Sequence, residues 1–222
     1  MQPDKKGFLY PVIDQTECIH CHLCEKVCPE DPTVRAKGTG QPELFGAVHR
    51  EQQVLMQSAS GGAFPAIVQS FCDEDSVIFG VQYDENMRVC HSYVIGKDAI
   101  GKFKKSKYVQ SDTGKTFRQA KEFLEQGKKV LFTGTPCQIS GLKAFLRKDY
   151  KNLLTVDLIC HGVASPALFA DYIALIEKKY HKKVVWADMR TKEKVRGNWV
   201  LMNLSTALED NSVRFHPLST AF

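Results

Sequence analysis

Four of the eight cysteines in this sequence fall in Cys18-Ile19-His20-Cys21-His22-Leu23-Cys24-Glu25-Lys26-Val27-Cys28-Pro29, the spacing C-x2-C-x2-C-x3-C-P. Thiolates at two-residue gaps wrap successive corners of a cubane, and the proline after the fourth turns the chain away. That is the bacterial pattern for a 4Fe-4S cluster. Zinc usually takes its ligands as separated pairs, so the crowding favours iron and sulfide. Cys18, Cys21 and Cys24 are expected to bind one cluster. Cys28 leaves two options open: it closes that cluster, or, as in two-cluster ferredoxins, it serves another whose remaining ligands lie outside this chain. His20 and His22 are expected to ligate nothing.

Two further cysteines share a placement. Cys137, in Thr133-Gly134-Thr135-Pro136-Cys137-Gln138, lies just past one predicted strand at the start of a helix, and Cys160, in Asp157-Leu158-Ile159-Cys160-His161-Gly162, lies just past the next strand. Ligands of open α/β sheets gather at the carboxyl ends of strands, and a helix N-terminus favours the thiolate. The pair reads as half of a metal site or as a redox-active pair. A lone cysteine is more often a small buried apolar residue, which is how Cys72 and Cys90 are read. His161 stands open between a cofactor contact and a loop cap.

Two polar loops precede helices. Ser58-Ala59-Ser60-Gly61-Gly62-Ala63-Phe64 leads into a short apolar helix with Ile67, Val68 and Phe71, and its exposed amides suit a phosphate. Ser106-Lys107-Tyr108-Val109-Gln110-Ser111-Asp112-Thr113-Gly114 joins a cation, an aromatic ring and hydroxyls. Either also reads as an ordinary capped loop. The G-x-G-x-x-G fingerprint of a Rossmann nucleotide site is missing.

These residues need a scaffold, and the pattern supplies an α/β one. β-rich runs at Ser76–Tyr83 and Arg88–Ile95 flank the turn Asp84-Glu85-Asn86-Met87 and predict a hairpin. Phe117, Ala120 and Leu124 recur at helical spacing between Lys115 and Gln126. A strand at Lys129–Thr133, a helix from about Gln138 to Arg147 and a strand at Leu153–Ile159 follow. Ser165 then caps a helix with Pro166 at its first position and Leu168, Phe169, Tyr172, Ile173 and Ile176 on one face. With a third strand at Lys183–Ala187, this predicts a β-α-β-α-β unit in a parallel sheet. The fold class is α/β: a small ferredoxin-like 4Fe-4S module over 1–42, ending near the Gly38-Thr39-Gly40 break, and a mixed α/β domain over 43–222.

Composition bounds the rest. The chain has 222 residues, 43% of them hydrophobic, enough for one core and a small satellite. No run approaches the roughly 18 apolar residues of a membrane span, so a cytoplasmic protein with no transmembrane segment is expected. Thirty basic against twenty-five acidic residues leave +5, too modest to indicate nucleic acid. The lysines at 102, 104, 105 and 107 and at 178, 179, 182 and 183 read as solvated faces or as a docking surface for an acidic redox partner.

Taken together, Gly7-Phe8-Leu9-Tyr10-Pro11, the cysteine run, Ser60-Gly61-Gly62-Ala63-Phe64, Ser106-Lys107-Tyr108-Val109-Gln110, Gly134-Thr135-Pro136-Cys137-Gln138 and Asp157-Leu158-Ile159-Cys160-His161-Gly162 resemble the beta subunits of the coenzyme F-420 hydrogenases and dehydrogenases. The resemblance implies a ferredoxin-like module fused to a flavin-binding domain, an oxidoreductase in which FAD exchanges electrons between iron-sulfur clusters and a two-electron acceptor. It makes Ser60, Gly61, Gly62, Lys107, Tyr108 and His161 candidate cofactor contacts and Cys137 and Cys160 candidate ligands of a further cluster. Relatives usually carry another cysteine run before Gly7 and a C-x-x-C beyond the point matching Phe222. This sequence is therefore expected to be an abbreviated member or a fragment, with a redox partner protein or subunit. Two other classes stay open: a 4Fe-4S electron carrier or adaptor without flavin, and a zinc-binding interaction module.

Overall fold

Prolines and crowded cysteines leave the N-terminal segment only short elements. Strand β1 (Gln2–Pro3) pairs antiparallel with β2 (Leu9–Tyr10), and helix α1 (Leu23–Lys26) is a single turn inside the cysteine run. The computed structural model describes residues 1–31, 33, 41–192, 194–195, 198–199 and 203–217, so the expected break at Gly38-Thr39-Gly40 lies outside the described residues. Helices α2 (Gln52–Met56) and α3 (Ala63–Phe71) then lead into the main sheet.

That sheet has the order β4-β3-β5-β6. β3 (Val77–Tyr83) and β4 (Val89–Ile95) form the expected hairpin, its turn closed by Met87 in the left-handed region at φ 58°. A 3-10 helix (Lys97–Phe103) and α4 (Thr116–Glu125) carry the chain to β5 (Val130–Gly134), and α5 (Pro136–Leu146) carries it on to β6 (Leu153–Asp157). β3, β5 and β6 run parallel. Both crossovers step the same way across the sheet, so a common handedness puts α4 and α5 on one face.

Alternation along the central strands explains the layers. Val77, Phe79, Val130 and Phe132 face Ala120 and Leu124 of α4 and Ile139, Leu142 and Leu146 of α5. Ile78 and Leu131 point the other way, into a cluster with Val68 of α3 and with Ile100 and Phe103 of the 3-10 helix. Covering both faces is what near-continuous apolar strands require.

The expected third strand behaves differently. α6 (Pro166–Tyr180) forms as its cap predicts, with Ser165 Oγ accepting the Leu168 N–H at 3.1 Å. β7 (Val184–Asp188), however, does not join β6. It pairs antiparallel with β10 (Asn203–Leu208), which also pairs with β11 (Val213–Pro217), in a separate sheet of order β11-β10-β7. A small hairpin of β8 (Lys194–Val195) and β9 (Asn198–Trp199) lies between. The parallel unit is thus built from β3, β5 and β6. The reason is packing: Phe169, Ile173 and Ile176 of α6 bury against Val184, Ala187, Leu204 and Leu208, so α6 covers this second sheet. β6 ends at Asp157, two residues short of expectation, and Leu158 and Ile159 are 60% and 93% exposed. No helix among the described residues is long and apolar enough to cross a membrane.

Candidate functional site

The cysteine run folds as a loop with an unusual backbone. His20 and His22 adopt φ of 53° and 55°, and Cys21 between them does not share that conformation. Non-glycine residues visit the left-handed region at a cost of about 1 kcal/mol each, so two so close together mark a specialised turn. His22 Nδ1 sits 3.2 Å from Glu25 Oε2. All eight cysteines are free thiols; Cys18 and Cys28 are half-buried, and Cys21 and Cys24 exposed. Among the described residues, no three His, Cys, Asp or Glu side chains are gathered to hold a metal ion. The donor set nevertheless suits iron and sulfide, since four accessible thiols on one short loop can close on a cluster as it binds.

The two strand-end cysteines stand where the pattern put them. Cys137 is the second residue of α5, past the end of β5; Cys160 follows β6, the adjacent parallel strand. Both are exposed. Cys137 Sγ lies 3.2 Å from Thr135 Oγ1, and Cys160 Sγ accepts the Gly162 N–H at 3.4 Å. His161 is exposed beside it.

The Cys137 turn is anchored by residues that carry no motif. Thr135 caps α5 in a capping box with Gln138, whose Oε1 accepts the Thr135 N–H at 3.0 Å. Gln138 Nε2 donates to Ser111 Oγ at 2.9 Å, and Ser111 Oγ lies 3.0 Å from Nδ1 of the buried His91. His91 Nε2 in turn is 3.1 Å from the Thr133 carbonyl. Burial pushes the His91 imidazole down to about 4, against weaker upward pulls from the Thr133 bond and Asp112. His91 occupies an inward position in a strand of apolar neighbours. A polar residue in that register was the available signal.

The two polar loops meet through a third segment. Gly61 and Gly62 are required by the chain's own backbone: a Cβ at Gly61 would stand 2.5 Å from the Ala47 carbonyl oxygen, and one at Gly62, where φ is 84°, 2.8 Å from His49 Cβ. Lys107 Nζ is enclosed, donating to the carbonyls of Lys102, Lys104 and Lys105 at 3.3, 3.0 and 3.4 Å. Burial pushes its ammonium down to about 8, opposed by Asp188. The residues after β7 bridge the loops. Lys192 Nζ donates to the carbonyls of Leu55 and Ser60, Met189 Sδ accepts the Tyr108 N–H at 3.1 Å, and Arg190 reaches the Tyr108 hydroxyl at 3.4 Å. The buried Asp188 carboxylate pairs with Lys105 Nζ at 2.9 Å. One cationic surface therefore joins both candidate cofactor loops, a chemistry that suits an anionic cofactor. Asp188, Arg190 and Lys192 carry no motif and stand at or just past the end of β7, while Lys105 belongs to the lysine group at 102–107 read from the sequence as a solvated face or docking surface.

Residues 11–32 match the family model described as a 4Fe-4S binding domain. Residues 127–209 match the model that describes the C terminus of the coenzyme F420 hydrogenase/dehydrogenase beta subunit. No curated protein matches the chain. A solved structure of the F420-reducing nickel-iron hydrogenase complex from Methanosarcina barkeri contains a chain similar to this one at 18% identity and a TM-score of 0.47, over 78% of this chain. This chain spans 60% of the length of that one. The likeness to these two families is thus confined to the cysteine run and to the stretch from β5 to β10.

Proposed function

We propose that this chain passes electrons between a 4Fe-4S cluster on Cys18, Cys21, Cys24 and Cys28 and FAD, on their way to an acceptor presented by a redox partner protein or subunit. The observation that carries this reading is where the cysteine loop lies. Pro29, next after Cys28, borders α5: a Cβ on Gly141 would lie 3.7 Å from Pro29 Cγ, one turn from Cys137. On the other side of the loop, the Lys6 carbonyl accepts from the Ala167 N–H at 3.1 Å and from Ser165 Oγ at the start of α6. Pro29 thus sets the end of the cysteine run beside α5, and the turn at Lys6 is held to the start of α6.

In this reading residues 1–42 are the cluster module and 43–222 the flavin-binding-type domain. Cys137 and Cys160 supply two ligands of a further cluster whose remaining ligands come from elsewhere, and His161 stands beside them as a cofactor contact. Ser60, Gly61, Gly62, Lys107 and Tyr108 form the flavin-side loops, with Lys107 shaping its loop from within. A bound flavin can trade single electrons for pairs, the chemistry that links clusters to hydride-level acceptors. Exposed free cysteines of this kind call for a reducing compartment such as the cytoplasm.

A 4Fe-4S carrier without flavin is the second reading, favoured by Lys107, whose ammonium three carbonyls already occupy. Anaerobic purification with an absorption spectrum and acid-released flavin content separates the two. Flavin bands over a broad cluster shoulder support the oxidoreductase, the shoulder alone supports the carrier, and a colourless zinc protein contradicts both.

A further inference from the structure

The two edges of the main sheet are treated differently. At β4 the chain covers its own edge: the His91 N–H donates to the Asp112 carbonyl at 2.8 Å, and the Asp112 N–H to the Val89 carbonyl at 3.0 Å. At the other edge, β6 pairs with β5 and with no other strand among the described residues. Just before β6 the Asn152 carbonyl accepts the Val130 N–H at 2.8 Å, and just after it the Leu158 N–H donates to the Gly134 carbonyl at 3.0 Å. Backbone groups alternate sides along a strand, so the even-numbered residues serve β5 and those of Leu153, Thr155 and Asp157 point outward. The Leu153 N–H turns back to the Tyr150 carbonyl at 3.2 Å. No described strand lies beside the rest. Exposed edges are ordinarily blunted by a charge, a proline or a bulge, and Asn152-Leu153-Leu154-Thr155-Val156 carries none of these, its register with β5 running unbroken. A cavity of about 390 Å³, lined by Leu153 and Thr155 together with Leu146, Arg147 and Tyr150, leaves the α5 face of this edge uncovered as well. The charges stand at its two ends, Lys151 before β6 and Asp157 as its last residue.

We propose that β6 pairs antiparallel with β6 of a second copy of this chain, about a two-fold axis at Leu154, joining the two four-stranded sheets into one. A two-fold interface sets residue i against j and j against i, so Leu153 lies opposite Thr155 and Lys151 opposite Asp157, each twice. The backbones can bond only where outward residues meet outward residues, which limits the choice of register. Moving the axis to Leu153 would set Asp149 against Asp157, and moving it to Thr155 would set Lys151 against Ile159. Charge complementarity at both ends therefore selects the axis at Leu154. The pairing stands apart from the electron-transfer reading. Antiparallel strands send the Cys137 and Cys160 ends of the two copies in opposite directions, so each copy keeps its own.

The test is sedimentation velocity of the full chain, purified anaerobically, over a concentration series. Wild type should pass from monomer to a species of twice the monomer mass as concentration rises. Asp157→Lys sets two lysines face to face at both ends of the joint and should weaken association about tenfold or more, and Lys151→Asp should do the same with two carboxylates. The exchange Lys151→Asp/Asp157→Lys restores both pairs and should recover the dimer, which damage to the fold of a single copy would not do. Thr155→Pro removes an outward N–H that β5 does not use, and should leave a monomer with the circular dichroism of wild type. If that variant fails to fold, the three charge variants still decide. A wild type that stays monomeric at every concentration overturns the proposal. So does a dimer that the single charge variants leave intact, that the exchange fails to restore, or that a folded Thr155→Pro protein still forms.

Discussion

His91 Nε2 donates to the Thr133 carbonyl across 3.1 Å, and that bond decides the state of the imidazole. A carbonyl only accepts, so the proton is on Nε2 and Nδ1 accepts from Ser111 Oγ. Ser111 Oγ then accepts from Gln138, and Gln138 holds the Thr135 N–H. A neutral, buried histidine on β4 thereby fixes the turn that presents Cys137.

The His91 pKa falls from 6.5 to about 4 on folding, so between those values the unfolded chain binds the extra proton and stability rises with pH. The contribution is complete above about 6.5 and is lost as pH falls through 4, at most about 3 kcal/mol. Urea unfolding from pH 7 to pH 4 should show a steeper loss for wild type than for His91→Gln, which cannot titrate. Equal slopes would mean that His91 is not held neutral.

Gln138→Leu removes the donor to Ser111 and the acceptor for Thr135 together. Leaving these groups half-satisfied should cost about 1–3 kcal/mol. Amide hydrogen exchange should quicken in the first turn of α5 and not in α6. A uniform increase over both helices would contradict a local role.

Much of this scaffold was legible from pattern. The β3–β4 hairpin, α4 and the Ser165-Pro166 start of α6 follow from local chemistry that the fold keeps. α5 starts at Pro136, two residues before the expected Gln138, because the Thr135-Gln138 box closes around the proline. The partner of β7 was not legible. A strand's own residues state which face is apolar but not which strand lies beside it. The four cysteines of the run announce their chemistry by spacing. His91, Asp188 and Lys192 act through contacts between residues far apart in sequence, which spacing does not encode.

Three glycines should separate packing from ligand contact. Gly61→Ala and Gly62→Ala meet Ala47 and His49 at 2.5 and 2.8 Å, and should destabilise the fold by about 1–3 kcal/mol. Gly141→Ala meets Phe117 Cε2 at 3.4 Å and Pro29 Cγ at 3.7 Å, ordinary contact distances, and should be tolerated. Thermal melts of the three variants check the order. A Gly61→Ala protein as stable as wild type would free that glycine for a role at a ligand.

Lys105→Met strands the Asp188 carboxylate, which is 1% exposed, without its cation. The expected loss is on the order of 3 kcal/mol. Lys105→Met/Asp188→Leu should recover part of it, because no buried charge is left alone. Urea midpoints of the two variants measure this, and a double variant less stable than the single one would contradict it.

The central claim is that Cys18, Cys21, Cys24 and Cys28 hold a 4Fe-4S cluster. Anaerobic reconstitution followed by iron and acid-labile sulfide analysis tests it most directly. Wild type, and the Cys137→Ser/Cys160→Ser variant through its cysteine run, should bind iron and sulfide in equal amounts, while Cys18→Ser, Cys21→Ser and Cys24→Ser should each lose them. Iron and sulfide retained in all three single variants, or zinc bound without sulfide in the wild type, would contradict the account.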